Sequence, residues 1–352
     1  MRISLATAVI FFHSLDLTTG HNVAFNDMHG IFRPIDALIL PMFFGLSGFL
    51  VAGSLERSRT LISFLGLRAI RLVPALLVET ILSAIVIGLL FANIPYTQYF
   101  YSPVFLRYFL NIIGDIQYNL PGVFNKNPVP DTVNGQLWTI PWELRCYLSI
   151  SVIAIIGMAR KKAAFMFLVV LLNIGLFVHH GFLRTDHVHD TAGGASIEGI
   201  LLVQNFLYGI VFYLFRSTIV WSKCIFLVTT PSVLFLTSVP FAFWGDSLTP
   251  PLVAYTTVYL GLLEPYRSKI ISSGDYSYGI YLYGFPVQQA MVATLGAAGM
   301  HWYINFPVSL TIAALLAILS WHLVEKHAAG FRLPLFKGEK VILDRYLALK
   351  TV

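Results

Sequence analysis

The chain has 352 residues, of which 57% are hydrophobic and only 11% are charged, and its mean hydropathy is +0.75. Soluble domains carry roughly 25% charged residues, so this composition excludes a soluble globular protein. The net charge of +6 would point to nucleic acid in a soluble protein, but in a membrane protein it arises from basic loops retained in the cytoplasm. We therefore expect an integral protein of the lipid bilayer that binds no nucleic acid.

Ten apolar stretches are long enough, or nearly so, to cross about 30 Å of hydrocarbon as helices. They predict an all-α membrane protein of about ten transmembrane helices, and residues 1–352 are expected to form one membrane domain. With the N-terminus in the cytoplasm, the inner segments hold 18 Lys and Arg and the outer segments hold 4. This asymmetry predicts that both termini are cytoplasmic. The predicted spans are 3–17, 35–54, 72–93, 136–158, 163–181, 197–215, 221–244, 249–263, 276–295 and 303–325.

Two longer segments, 93–135 and 179–195, fall on the predicted outer side. The stretch 104–118 is amphipathic and is expected to lie on the membrane surface. The first segment carries tyrosines that either stack on a sugar or form an aromatic belt, and the second carries histidines without the spacing of a metal site. No metal is therefore expected. The residues are Tyr96, Tyr99, Tyr101 and Tyr118, and His179, His180, His187 and His189.

His13 is an ionisable residue inside the first predicted span, where such groups are costly and usually line a cavity or pathway. It follows Arg2 by eleven residues, so the two side chains share one helix face. The imidazole then lies about 16 Å deeper than the arginine. A neutral imidazole there could act as a general base, with its tautomer fixed by Asp16 one turn later. The alternative is a histidine hydrogen-bonded to a neighbouring helix.

Arg68 and Arg71 precede the third predicted span and are three residues apart. This spacing points both guanidinium groups to the same side of a helix at the inner membrane surface. Paired guanidinium groups suit a phosphate or pyrophosphate. The alternative is a pair of positive residues that face lipid headgroups.

Glu143 and Arg145 enter the fourth predicted span behind Pro141. Because they lie 200° apart on a helix, they cannot pair with each other. Each is expected to have a partner on another helix, or to face an aqueous cavity. The predicted topology brings Glu143 in from the outer side, opposite the two inner arginines. The alternative is a structural ion pair between helices.

These features, in this order, resemble the membrane acyltransferase-3 family, whose members O-acylate bacterial surface and secreted carbohydrates. Arg2 and His13 match its arginine, ten residues, histidine signature, and Arg68-x-x-Arg71 matches its RxxR motif. FFGLSGFL at 43–50, which contains Ser47, resembles its second-helix phrase, and LWTIPWE at 137–143 its tryptophan-to-glutamate phrase. SYGIYLYGFPVQ and WHLVEK resemble its last two helices. The similarity covers the chain from end to end.

The resemblance implies an enzyme of the bacterial inner membrane that transfers acetyl from cytoplasmic acetyl-CoA to a glycan hydroxyl, with no permanently bound cofactor. It implies that Arg2, Arg68 and Arg71 bind the acyl-CoA and that His13 is the base or the acyl carrier. It implies that Glu143 orients His13 or the acceptor from the outer side. Ser47, Asp16 and Arg145 are expected to support the site. Polysaccharide-assembly proteins are expected partners, and the SGNH-like periplasmic domain of many members is expected to be absent.

Two functions of other classes suit part of the same sequence. A midplane histidine and a buried glutamate also occur in proton-coupled transporters, including flippases of lipid-linked glycans. Such folds often have two related halves, and 1–160 and 161–352 share no corresponding pair of broken segments. The second alternative is a non-catalytic scaffold for polysaccharide assembly, but such a role gives no function to the buried charged residues.

Overall fold

The computed structural model describes residues 1–20, 29–58, 60–158, 161–179, 198–238, 243–263 and 273–340. Its regular structure is helical, and the described residues contain two isolated β-bridges and no strand. A helix coincides with each of the ten predicted spans. The all-α prediction is therefore confirmed.

Six helices are described in the first half of the chain, in addition to the short turns below. These are α1 (Arg2–Thr19), α2 (His29–Arg57), α3 (Leu61–Ile81), α4 (Tyr96–Tyr101), α5 (Pro103–Tyr108) and α6 (Thr139–Ile155). A π-helical turn, Leu82–Ile87, and the short helix Gly88–Phe91 extend α3. A 3₁₀ turn, Phe109–Ile113, follows α5, and another, Gly135–Trp138, leads into α6.

The second half forms six more described helices. These are α7 (Lys162–Val178), α8 (Gly199–Leu214), α9 (Lys223–Ser238), α10 (Phe243–Leu262), α11 (Ser277–Leu295) and α12 (Trp302–Ser320). Helical residues continue from α12 to Lys340. Within the described ranges, three helical stretches are long and apolar enough to cross a membrane, namely Phe32–Arg57, Leu61–Phe91 and Trp302–Lys340. The count of ten spans and the side on which the termini lie stay predictions.

α3 begins eleven residues before the third predicted span, which places both Arg68 and Arg71 inside the helix. The start is set by Thr60, whose side chain accepts a hydrogen bond from the backbone N–H of Ser63 at 3.2 Å. Such an N-cap satisfies one of the unpaired donors of the first helical turn. The two arginines are therefore fixed to a helix that continues into the bundle.

α11 lies at the centre of the bundle, because 13 of its 19 residues are buried. It packs against α1 and α12 in one hydrophobic cluster, which includes Ile10, Leu282 and Ala317. A second cluster joins α2, α6, α7 and α8 through residues such as Phe165 and Phe206. The functional side chains described below lie between these two clusters.

The segment 114–134, between the two 3₁₀ turns, enters the bundle without helical structure. The Asn127 side chain donates to the Gln289 backbone carbonyl at 3.0 Å and to its side-chain oxygen at 2.7 Å. The Gln289 amide in turn donates to the carbonyls of Val129 and Thr132, each at 2.8 Å. Non-helical backbone at membrane depth is tolerated where it is buried in protein. These contacts supply the hydrogen bonds that lipid cannot.

The predicted outer tyrosines differ in exposure. Tyr96 and Tyr101 are 60% and 87% exposed, whereas Tyr99 is fully buried and donates to the carbonyl of Ala84 at 2.6 Å. Tyr99 therefore has a structural role and is not open to a sugar. Of the histidines in the second segment, His180, His187 and His189 lie outside the described residues.

Close contact between α2 and α8 depends on glycine. A Cβ atom at Gly48 would overlap the backbone carbonyl of Phe206, and one at Gly209 would overlap the carbonyl of Gly45. Small residues of this kind let membrane helices approach closely.

We predict that Gly48→Ala lowers the stability of the protein by about 1–3 kcal/mol, because the added methyl group must push backbone apart. Thermal unfolding in detergent measures the effect. Gly175→Ala is the matched control, since nothing lies within 4 Å of the corresponding position. Equal unfolding temperatures for the two variants would contradict the predicted packing.

Candidate active site

A pocket opens between α1, α2, α3, α6, α8 and α11. It encloses about 660 Å³ of empty space, part of it open to solvent. Most of its wall is aromatic or aliphatic, but it contains two guanidinium groups and one carboxylate. Four of the residues singled out in the sequence, Arg2, Ser47, Arg71 and Glu143, share this pocket. Its lining is Arg2, Leu40, Phe43, Phe44, Ser47, Arg71, Thr139, Glu143, Phe206, Ser277, Tyr278 and Tyr281.

Asp275 joins the two pocket arginines. Its Oδ2 atom accepts hydrogen bonds from Arg71 Nη2 at 2.8 Å and from Arg2 Nη1 at 3.5 Å, and Ser277 donates to its Oδ1 at 2.7 Å. Burial tends to raise the pKa of Asp275, but the positive charges of Arg71 and Arg2 outweigh it and hold that pKa below its usual value. Asp275 engages only part of each five-donor guanidinium group. The pair can therefore also bind an anion or a polarised carbonyl.

Sequence reasoning missed Asp275. The signal available was an acidic residue directly before the tyrosine-rich start of α11, in a chain with only 17 Asp and Glu. Its partners could not be found from the sequence, because they lie 273 and 204 positions away.

Glu143 lies on the same side of the bundle as the arginines. The Tyr147 hydroxyl, one turn further along α6, donates a hydrogen bond to Glu143 Oε1. Glu143 also interacts electrostatically with Arg2, Arg68 and Arg71. The predicted topology separates Glu143 from the arginines, but Glu143, Arg2 and Arg71 line one pocket. The side of the membrane from which Glu143 enters stays a prediction.

Arg68 lies outside the pocket. Its Nη2 atom donates to Ser54 Oγ on α2 at 3.0 Å, and its guanidinium carbon is 5.9 Å from the centre of the Phe64 ring. Arg71, which lies one turn further along α3, donates a hydrogen bond to Asp275 Oδ2 instead. The two arginines share a helix side as predicted, but they contact different helices and do not form one fork in this conformation.

His13 lies on the same helix as Arg2, three turns further along. It is half-buried, and its ring packs edge-to-face against Phe285 with 5.2 Å between ring centres. It does not line the pocket. Thr139 and Tyr281 do line it: their hydroxyls are 2.7 Å apart, and that of Tyr281 donates to the Gln136 carbonyl at 2.9 Å.

Asp16 and Arg145 flank these groups. Asp16 lies one turn after His13, near the end of α1, where its backbone carbonyl accepts from Gly20 N–H at 2.8 Å. Arg145 is exposed, and its guanidinium carbon lies 4.1 Å from the centre of the Trp142 ring on its own helix. The expected partner on another helix is thus replaced by a cation–π contact within α6.

Glu79 is a buried carboxyl group that sequence reasoning also missed. It is fully buried, and its Oε1 accepts from Ser83 Oγ at 2.7 Å and from Asn134 Nδ2 at 2.8 Å. The sequence feature that could have revealed Glu79 is an acidic residue inside the apolar stretch 72–93. Its contact with Asn134 fixes the segment before α6 against α3.

Comparison with known proteins identifies the class. The family model described as an acyltransferase domain matches residues 1–324, and the chain belongs to this family, acyltransferase-3. It is 26% identical over 305 residues to an O-acetyl transferase of Shigella phage Sf6, covering 84% of this chain and 85% of that protein. It is 29% identical over 311 residues to nodulation protein 10 of Rhizobium leguminosarum bv. viciae, covering 83% and 82%. No solved structure matches. The family, the apolar helices and the pocket define a membrane-type acyltransferase.

We predict that Asp275→Asn destabilises the protein by about 1–3 kcal/mol, because two partly buried guanidinium groups lose the anion between them. Unfolding in detergent with increasing urea measures the loss. Glu56→Gln is the matched control, since the Glu56–Arg216 pair has side chains 58% and 42% exposed and such pairs contribute at most about 1 kcal/mol. A loss no larger than that of the control would contradict a stabilising role for Asp275.

Proposed function

We propose that this acyltransferase takes acetyl from acetyl-CoA on the cytoplasmic side of the bacterial inner membrane and transfers it to a glycan hydroxyl. The observation that carries the proposal is the pairing of Arg2 and Arg71 on Asp275 at one end of α1, with the half-buried His13 on the same helix. The similarity to a protein named O-acetyl transferase supports transfer of acetyl to oxygen.

In this proposal the arginines bind the donor. Arg71 and Arg2 contact the diphosphate of acetyl-CoA, for which guanidinium groups are suited. Arg2 and His13 are separated by eleven residues of helix, or about 16 Å, a distance that the extended pantetheine arm spans. The aromatic wall of the pocket surrounds that arm. Glu143, held by Tyr147, balances the positive charge and keeps the arginines in place.

His13 then performs the transfer by one of two routes. As a general base it removes the proton of the acceptor hydroxyl, whose oxygen attacks the thioester carbonyl while the carbon–sulfur bond breaks and the CoA thiolate takes the proton. As a nucleophile its imidazole attacks the thioester carbonyl, the carbon–sulfur bond breaks, and CoA leaves as a thiol with the imidazole N–H proton. The acyl-imidazole then passes the acetyl group to the acceptor hydroxyl, whose proton returns to the imidazole. Asp16, one turn away, sets the tautomer of the imidazole.

The donor must pass the Thr139–Tyr281 contact before it meets His13. Both groups are neutral hydroxyls joined at 2.7 Å. A rotation of the two side chains opens this wall without moving a helix, and the thioester can then enter from the pocket.

We predict that His13→Ala lowers acetyl transfer at least a hundredfold, because the base or acyl carrier is removed. The measurement is transfer from labelled acetyl-CoA to glycan in membranes that contain the variant. His301→Ala is the control, since His301 is exposed and stacks on Tyr303. Undiminished transfer by the His13→Ala variant would show that His13 is neither the general base nor the acyl carrier.

We predict that Arg71→Ala raises the KM for acetyl-CoA about tenfold or more, as expected for one lost charge-assisted contact, and leaves the KM for the glycan nearly unchanged. Steady-state rates at varied donor and acceptor concentrations separate the two constants. Arg107→Ala, a change at an exposed residue of α5, should alter neither. An unchanged donor KM in the Arg71 variant would exclude the phosphate contact.

A further inference from the structure

A buried glutamine that the proposed mechanism does not use has unused hydrogen-bonding groups. Gln136 belongs to the 3₁₀ turn before α6 and is 1% exposed. Both polar atoms of its side chain, Nε2 and Oε1, are buried and have no hydrogen-bond partner among the residues that the structure describes. A buried amide without partners is costly, because it has lost its hydrogen bonds to water. An apolar side chain of the same size would fill this space without that cost.

The backbone of Gln136 touches the pocket wall, and its side chain reaches the contact of α11 with α1. Its carbonyl oxygen accepts from the Tyr281 hydroxyl at 2.9 Å and the Thr139 hydroxyl at 3.3 Å, and both of those residues line the pocket. A Cβ atom at Gly284 on α11 would be 2.7 Å from Ile10 Cγ1 on α1 and 4.0 Å from Gln136 Oε1. The side-chain amide therefore lies close to α1.

His13 is one helical turn from this contact. It follows Ile10 by three residues on α1, so the two share one side of the helix and are about 4.5 Å apart along its axis. The His13 ring packs against Phe285, with 5.2 Å between ring centres. Phe285 also packs on the turn that contains Gln136, because a Cβ atom at Gly135 would be 2.8 Å from Phe285 Cζ. Contacts through Ile10 and through Phe285 thus bring Gln136 and His13 to the same part of the bundle.

Two other buried glutamines nearby have structural partners. The Gln288 amide donates to the backbone carbonyl of Ile10 at 2.7 Å. The Gln289 amide donates to two backbone carbonyls of the segment 114–134, each at 2.8 Å. Both side chains therefore fix α11 to a neighbouring element. The Gln136 side chain makes no such hydrogen bond within the described part of the chain, so its amide can serve a ligand.

An unpartnered amide close to His13 matches a requirement of acyl transfer. When the acceptor hydroxyl or His13 adds to the thioester carbonyl carbon, the electron pair of the C=O double bond moves to its oxygen, which becomes negatively charged. Hydrogen-bond donors at that oxygen, among them Asn and Gln side chains, stabilise the intermediate. The Gln amide nitrogen carries two N–H donors and no charge. It can therefore serve this oxygen without taking the proton that His13 transfers.

We propose that Gln136 is a catalytic residue whose Nε2 donates a hydrogen bond to the thioester oxygen as the tetrahedral intermediate forms at His13. The inference rests on the proposed function, because it requires His13 as the base or the acyl carrier. No proton moves to or from Gln136. The negative oxygen returns to a carbonyl when the carbon–sulfur bond breaks, and CoA leaves with a proton from His13. The hydrogen bond therefore contributes to kcat and little to the binding of the substrates.

The test uses Gln136→Met, which removes the amide and keeps the length of the side chain. We expect kcat for transfer from labelled acetyl-CoA to glycan to fall about a hundredfold or more, the usual effect of losing one donor to such an oxygen. The KM for acetyl-CoA should stay within about twofold of wild type, because the contact forms only in the transition state. The unfolding temperature in detergent should equal or exceed that of wild type, because an apolar group replaces an unpartnered buried amide.

Gln204→Met is the matched control. Gln204 on α8 is 3% exposed, and its Nε2 and Oε1 atoms are also buried without a hydrogen-bond partner among the described residues. Its helix contributes to the cluster of α2, α6 and α7, whereas His13 lies on a helix of the other cluster. We expect Gln204→Met to have the same effect on unfolding as Gln136→Met and to leave kcat unchanged.

Two further variants complete the test. Gln136→Leu repeats both measurements if Gln136→Met fails to fold. Gln136→His restores an N–H donor at a similar distance from the backbone. We expect its kcat to be about tenfold or more above that of the apolar variants.

The outcomes separate this inference from the proposed function. Wild-type kcat in the apolar variants would overturn the inference and leave the proposed function in place. A low kcat together with a lowered unfolding temperature, neither of them restored by Gln136→His, would also overturn it, because that result indicates a structural role. If His13→Ala transfers acetyl as well as wild type, the proposed role of His13 fails and this inference fails with it.

Discussion

The shared contact of Asp275 with Arg2 and Arg71 is the interaction on which the candidate site depends. Between apolar helices there is little hydrophobic driving force in lipid, so packing and polar contacts decide how they associate. Asp275 connects the first turn of α1, the interior of α3 and the start of α11, three elements that are far apart in the sequence.

A second constraint acts from the opposite side of the bundle. The segment 127–134 has no helical structure, and its buried residues Asn127 and Asn134 bind it to Gln289 on α11 and Glu79 on α3. Because this segment reaches inward, α6 begins within the protein and carries Glu143 to the arginines. The same segment leads to Gln136, whose carbonyl accepts the hydrogen bond of the Tyr281 hydroxyl on the pocket wall.

Local patterns in the sequence predict the local features of this protein. Hydropathy locates the ten helices because each must be apolar over most of its length, and helical spacing places Arg2 and His13 on one helix. Local patterns do not predict contacts between residues that are far apart in the sequence. Asp275 has no local signature, and the direction of Arg68 depends on Ser54 of another helix. The shared pocket of Glu143, Arg2 and Arg71 also has no local signature, because it is formed by residues of separate helices.

Under the proposed function, the division of the site has a chemical purpose. A thioester is open to hydrolysis, and an active site protects it by excluding water until the acceptor is bound. The hydroxyls of Thr139 and Tyr281 meet on the pocket wall, whereas His13 does not line the pocket and packs against Phe285. Each hydroxyl has an alternative partner close by, since both can donate to the Gln136 carbonyl, at 3.3 Å and 2.9 Å. The contact can therefore exchange partners at small cost, and the wall can open to the donor while the surrounding helices stay in place.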